Sequence, residues 1–173
     1  DLLLMIESDC GGQAKIQRRG DVEYIVGAPE LVLEVSHSTA SIDLNDKRLD
    51  YHAGGVQEYI VYCLAEKQLR WFDLRIDSRE RTLPVDGVLR SFMFPGLWLD
   101  SKALVARDKK AFVSTAQTGL QSSDHRQFVA QLAAARAVLN EAETSLNRVK
   151  PLAEAGAASR AQLDSAVAAR STA

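Results

Sequence analysis

The composition changes abruptly after Ser123, and that break constrains the fold more than any other feature of the chain. From Asp124 alanine becomes frequent, no aromatic residue follows Phe128, and no glycine occurs before Gly156. Leu132, Ala135, Leu139, Ala142, Leu146 and Val149 recur at spacings of three and four, a heptad seam that predicts one long helix in need of a partner. Ala155-Gly156-Ala157-Ala158 interrupts it, and Ser159 with Gln162 three residues later forms a capping box that starts a second helix. Pro151 lacks an N–H and is expected to kink or fray the end of the first helix. Residues 123–173 therefore read as an α-helical coiled-coil hairpin, separate from a domain over residues 1–122. A chain of 173 residues, 46% of them hydrophobic, has room for one ordinary core plus such an appendage.

The first 122 residues read as a mixed α/β (α+β) domain. Strands are predicted over residues 1–6, 30–36, 56–63 and 68–75, the last two joined as a hairpin through Ala65-Glu66-Lys67, with short strands over 81–85 and 87–94. Residues 13–21 are polar and read as a loop. Asp43 is placed to cap a helix from Leu44 to about His52, stopped by Gly54-Gly55. Pro95 to Asp100 closes the domain, with Asp100 or Ser101 capping a following helix. The order implies a mostly antiparallel mixed sheet with flanking helices. Asp1 opens directly into Leu2-Leu3-Leu4-Met5-Ile6, which reads as a chain entered part-way through a strand.

A net charge of -2 supplies no global basic footprint, so any contact with nucleic acid must rest on local patches. Two cysteines, Cys10 and Cys63, are too few for a disulfide framework and lack metal-ligand spacing; both read as packed or free thiols of an intracellular protein. No stretch approaches the ~20 apolar residues of a membrane span.

Period-two alternation puts Glu30, Val32, Glu34 and Ser36 on one face of the second strand. Glu34, flanked by Leu33 and Val35, is costly there unless it is paired or binds a cation. Glu30 lies roughly 13 Å further along the strand, too far to share an ion with Glu34, and is expected to meet solvent. Leu44, Lys47 and Tyr51 fall on one helical face, from which Lys47 can reach a carboxylate on the neighbouring strand. Its alternatives are to snorkel to water or to pair with Asp43 one turn earlier.

The run Gly27-Ala28-Pro29-Glu30-Leu31-Val32-Leu33-Glu34-Val35-Ser36, the Ser38 to Asp43 segment, Lys47, Tyr51, Gly55-Val56-Gln57-Glu58-Tyr59, Trp71-Phe72, Gly87 to Ser91 and Phe94 to Asp100 resemble, in order, the Uma-type restriction endonuclease family of the PD-(D/E)XK superfamily. The resemblance covers about residues 1–125 and implies a restriction-endonuclease-like fold. It aligns Asp1 with the aspartate of the upstream Pro-Asp motif and Glu34 with the acidic residue of the (D/E)XK element. Ser36 stands in the usual lysine slot, and Lys47 takes the lysine's place from the helix. By that resemblance Asp1, Glu34 and Lys47 are catalytic, Asp1 and Glu34 hold Mg²⁺ or Mn²⁺, and Ser36 and Asp43 support them in hydrolysing a phosphodiester bond of DNA. A cytoplasmic location and a homodimer go with this reading.

Other residues read structurally: His37 as solvated, Trp71 and Trp98 as core or subunit-interface residues, Tyr51 and Tyr59 as packing the helix on the sheet. Lys15, Arg18 and Arg19 form a basic loop, solvated or in contact with DNA. The tail from Ala133 resembles the helical hairpin of HlyD-type periplasmic adaptor proteins, through Ala137 to Arg148 and the Leu152 to Asp164 turn. That alone would suggest the periplasm, and leaves two alternatives: an artefactual join near 131–137, or an oligomerisation element. The rival functions are accordingly a non-catalytic assembly protein or a fragment of a transport adaptor.

Overall fold

The computed structural model describes residues 2–37 and 40–172. The chain divides into two compact units, one of residues 1–8 and 12–128, the other of residues 9–11 and 129–173. Asp1 lies outside the described residues.

In the first unit, β1 (Leu2–Leu4), β4 (Leu31–Ser36), β5 (Glu58–Cys63), β6 (Gln68–Asp73) and β7 (Arg79–Glu80) form a sheet in the order β1-β4-β5-β6-β7. Every pairing is antiparallel except β4 with β5, which are parallel and joined by α1 (Ala40–Leu44) and α2 (Asp46–Gly54). Parallel strands need such a crossover. β5 is central and nearly all buried, as its β-branched and aromatic content predicts. On one face Val32, Tyr59, Val61, Phe72 and Leu74 pack beneath Leu44 and Tyr51 of the helices. On the other, Leu31, Ile60, Trp71 and Leu89 form a second cluster with Leu97 and Leu99. Of these, Leu89 and Leu99 belong to the small pair β8 (Val88–Arg90) and β9 (Trp98–Asp100).

Asp100 caps α3 (Ser101–Ala106), accepting from the Ala103 N–H at 2.8 Å. α4 (Lys109–Leu120) then lies so close to β9 that a Cβ on Gly119 would sit 2.3 Å from the Gly96 carbonyl oxygen and 2.7 Å from the Trp98 ring. Only glycine permits that approach.

Three expectations are corrected. Residues 13–21 are not a loop: β2 (Lys15–Arg19) and β3 (Val22–Val26) form a hairpin turning through Gly20-Asp21, with Gly20 at φ 62°. The turn chemistry was legible, but the density of charge hid the strands. The helix after β4 is broken at Asn45, so Asp43 lies inside α1 instead of capping α2. No strand covers residues 81–85, where Pro84 removes a donor; β7 stops at Glu80. α5 (Ser123–Glu154) ends at the expected Ala155-Gly156 break, with Pro151 in its last turn.

In the second unit the heptad positions of α5 are its sheltered ones: Ala142 is buried, and Leu132, Ala135, Leu139, Leu146 and Val149 are half-buried. α6 (Arg160–Thr172) starts at the predicted capping box, with the Gln162 N–H donating to Ser159 Oγ at 3.2 Å and the Ser159 N–H to Gln162 Oε1 at 2.8 Å. Arg170 of α6 pairs with Glu143 of α5 at 3.1 Å. No helix among the described residues is long and apolar enough to cross a membrane.

Candidate functional site

Glu34 is 4% exposed, on the face of β4 that α1 and α2 cover. Its Oε1 accepts from the Tyr51 hydroxyl at 2.9 Å and lies 3.1 Å from Lys47 Nζ. Lys47 also meets Asp43 Oδ1 at 2.9 Å, and Asp43 is itself buried. Two of the outcomes weighed for Lys47 thus occur together: it pairs with Asp43 one turn back and reaches across to Glu34. The break at Asn45 sets Asp43 at the end of α1 while Lys47 and Tyr51 project from α2, so three side chains of the crossover and one of the strand converge.

The electrostatics follow from that convergence. The Asp43 carboxylate, and then Glu34, raise the Lys47 pKa against an opposing desolvation. Lys47 is therefore an ammonium throughout the physiological range, and its side chain keeps 38% of its surface open. Burial, then the hydrogen bond to Glu34, raises the Tyr51 pKa, which keeps it a donor. Tyr59 lies beside Tyr51, ring centroids 5.0 Å apart, and pairs in register with Val32. Burial, and then the charges of Glu34 and Asp43, push its pKa far up. Its hydroxyl is buried without a hydrogen-bond partner among the described residues.

Ser36 is buried two residues beyond Glu34, and its carbonyl accepts from the Leu64 N–H at 2.8 Å. His37 is exposed. Tyr51 and Tyr59 do pack the helix on the sheet, but Tyr51 also ties Glu34 in place. That second role was missed, though Lys47 and Tyr51 at i and i+4, facing one strand, carried the signal.

Glu30 corrects an expectation. It is 2% exposed, not solvated, because its carboxylate accepts the main-chain N–H groups of Ile6 at 2.7 Å and Gln13 at 3.1 Å. Buried Glu58 does the same on the opposite face, accepting from the Ser91 hydroxyl and from the N–H groups of Phe92 at 3.1 Å and Met93 at 3.2 Å. Arg81 approaches it at 3.4 Å. These two carboxylates fasten loops.

Among the described residues no three His, Cys, Asp or Glu side chains group as a metal site. Two hard carboxylates, Glu34 and Asp43, nevertheless converge on one ammonium. Magnesium commonly takes only one or two carboxylates, keeping water and substrate phosphate in its other positions. The donor chemistry therefore fits such an ion.

A mixed sheet with a helical crossover and flanking helices is consistent with a restriction-endonuclease-like fold. Residues 3–102 match the sequence model of Uma2, described as "Putative restriction endonuclease". The chain belongs to that family. The match leaves the C-terminal helices outside it, so the adaptor-like tail gains no support. No curated protein matches the chain.

Proposed function

We infer that the first unit is a divalent-metal-dependent endonuclease that hydrolyses phosphodiester bonds in DNA. The observation that carries this is the unusual bonding of Glu34: a buried carboxylate satisfied by the side chains of Lys47 and Tyr51, beside a second acid. Side chains can swing away from such a carboxylate when a cation arrives, whereas main-chain donors cannot.

In this reading Glu34 and Asp1 supply the metal's oxygen ligands, with Asp43 close by. A bound Mg²⁺ or Mn²⁺ would polarise water and phosphate as a Lewis acid. Water oxygen would bond to phosphorus as the bond to the leaving sugar oxygen breaks, with one water proton released to solvent and the leaving oxygen taking a proton from solvent. Lys47, fixed as an ammonium by Asp43 and open to solvent on one side, faces the charge that develops on the phosphate. Its raised pKa makes it a source of charge and not a general base. Tyr51 holds Glu34 in one rotamer, and Ser36 supports the strand end. DNA as substrate implies action in the cytoplasm, and the reading takes the protein as a homodimer.

The test is nicking of supercoiled plasmid with Mg²⁺, repeated with EDTA and with Glu34→Ala and Lys47→Ala. Metal-dependent nicking that both substitutions abolish is expected. Nicking that survives EDTA or both substitutions would reject the assignment.

A further inference from the structure

The β2–β3 hairpin takes no part in the site described above, and all ten of its strand residues are exposed. Its register sorts them by chemistry. Lys15 lies opposite Val26, Gln17 opposite Tyr24 and Arg19 opposite Val22, and alternation places these six on one face. The other face carries Ile16 opposite Ile25, and Arg18 opposite Glu23. Arg18 is thus offset by an acid across the ladder, and its Nε donates to the Gly20 carbonyl at 3.2 Å. The first face holds two cations, an amide, a phenol and the exposed Val22 and Val26, with no carboxylate.

Two cations with no acid beside them would repel the same face of a second copy and complement a polyanion. A two-stranded ribbon fits the major groove of B-DNA, and five residues of strand, about 17 Å, span a useful length of it. Lys15 and Arg19 would meet phosphates, while Gln17 and Tyr24 between them face base edges. Val26 and Glu34 are eight residues apart, so no more than about 28 Å separates them, less than the ~34 Å of one helical turn of duplex.

We propose that the β2–β3 hairpin is a duplex-DNA-binding arm that lays its Lys15–Gln17–Arg19 face in the major groove. This rests on the nuclease reading of Glu34 and Lys47 and names the surface that holds their substrate.

Fluorescence anisotropy with a labelled 30-base-pair duplex in EDTA, on the full chain, tests it without requiring cleavage. Lys15→Gln with Arg19→Gln should weaken binding at least about tenfold, and should reduce the slope of log affinity against log salt by about 2, one for each phosphate that is no longer neutralised. Arg18→Gln, which removes a charge from the other face, should change affinity less than about twofold. The exchange Lys15→Arg with Arg19→Lys should retain binding. Wild-type affinity in the Gln double variant, an equal loss with Arg18→Gln, or no duplex binding by the wild type overturns the arm. So does a change in sedimentation to a smaller species with DNA affinity intact, which would make a second copy the occupant. Plasmid nicking separates the two readings: duplex binding with this pattern but no metal-dependent nicking sinks the nuclease and keeps the arm. Glu34-dependent nicking at wild-type rate in the double variant does the reverse.

Discussion

Glu34 and Glu58 stand on adjacent strands of one sheet, face opposite ways, and are both removed from water. Glu58 is enclosed by two main-chain N–H groups, a serine hydroxyl and an arginine, all drawn from the segment that packs over its face of the sheet. Glu34 is held by the ends of two long side chains, one of them open to solvent. Burial of a charge is costly in both places, and the difference lies in what offsets it. Main-chain donors are fixed by the fold and make Glu58 a rivet. Flexible donors can be displaced, which leaves Glu34 able to take another partner.

The largest effect should come from breaking the rivet. Glu58→Ala strands the Phe92 and Met93 N–H groups and the Arg81 guanidinium, and should destabilise the first unit by about 3–5 kcal/mol in urea unfolding. Glu30→Ala, which strands the Ile6 and Gln13 N–H groups, should cost roughly 1.5–3 kcal/mol in the same measurement. Glu34→Gln should cost less than about 1.5 kcal/mol while abolishing metal-dependent nicking. If its stability loss matches that of Glu58→Ala, the two carboxylates are alike and the comparison fails.

A smaller effect concerns Tyr59, whose hydroxyl is buried beside Glu34 and Asp43. Its folded pKa lies above the unfolded value of about 10, so its contribution is fully present below pH 10. Above that, the unfolded chain ionises first and stability should fall by up to about 1.4 kcal/mol per pH unit. Tyr59→Phe should flatten urea midpoints measured between pH 9 and 11, and should leave stability at pH 7 unchanged or slightly higher, since no bond among the described residues is lost. Tyr51→Phe is the finest probe: losing one half-buried hydrogen bond should cost about 0.5–1 kcal/mol, and should shift the Mg²⁺ dependence of nicking.

Local chemistry made much of this legible. The Glu34 strand, the helix bearing Lys47 and Tyr51, the Asp100 cap and the Ser159–Gln162 box each depend on residues within a few positions of one another. The hairpin over residues 15–26 was hidden because a strand exposed on both faces lacks the apolar alternation by which strands are recognised.

The sequence by itself determined which residues could do chemistry: the acid in an apolar strand, the lysine on the crossover helix, and the family to which both belong. Only the tertiary structure decided which of three acids in and around the strands is held by side chains instead of main-chain N–H groups. Glu30 finds its donors 24 and 17 positions away, and Glu58 finds its own 33 to 35 positions away. Whether a buried carboxylate is fastened or available depends on which main-chain N–H groups the folded chain carries to it, and no periodicity records that.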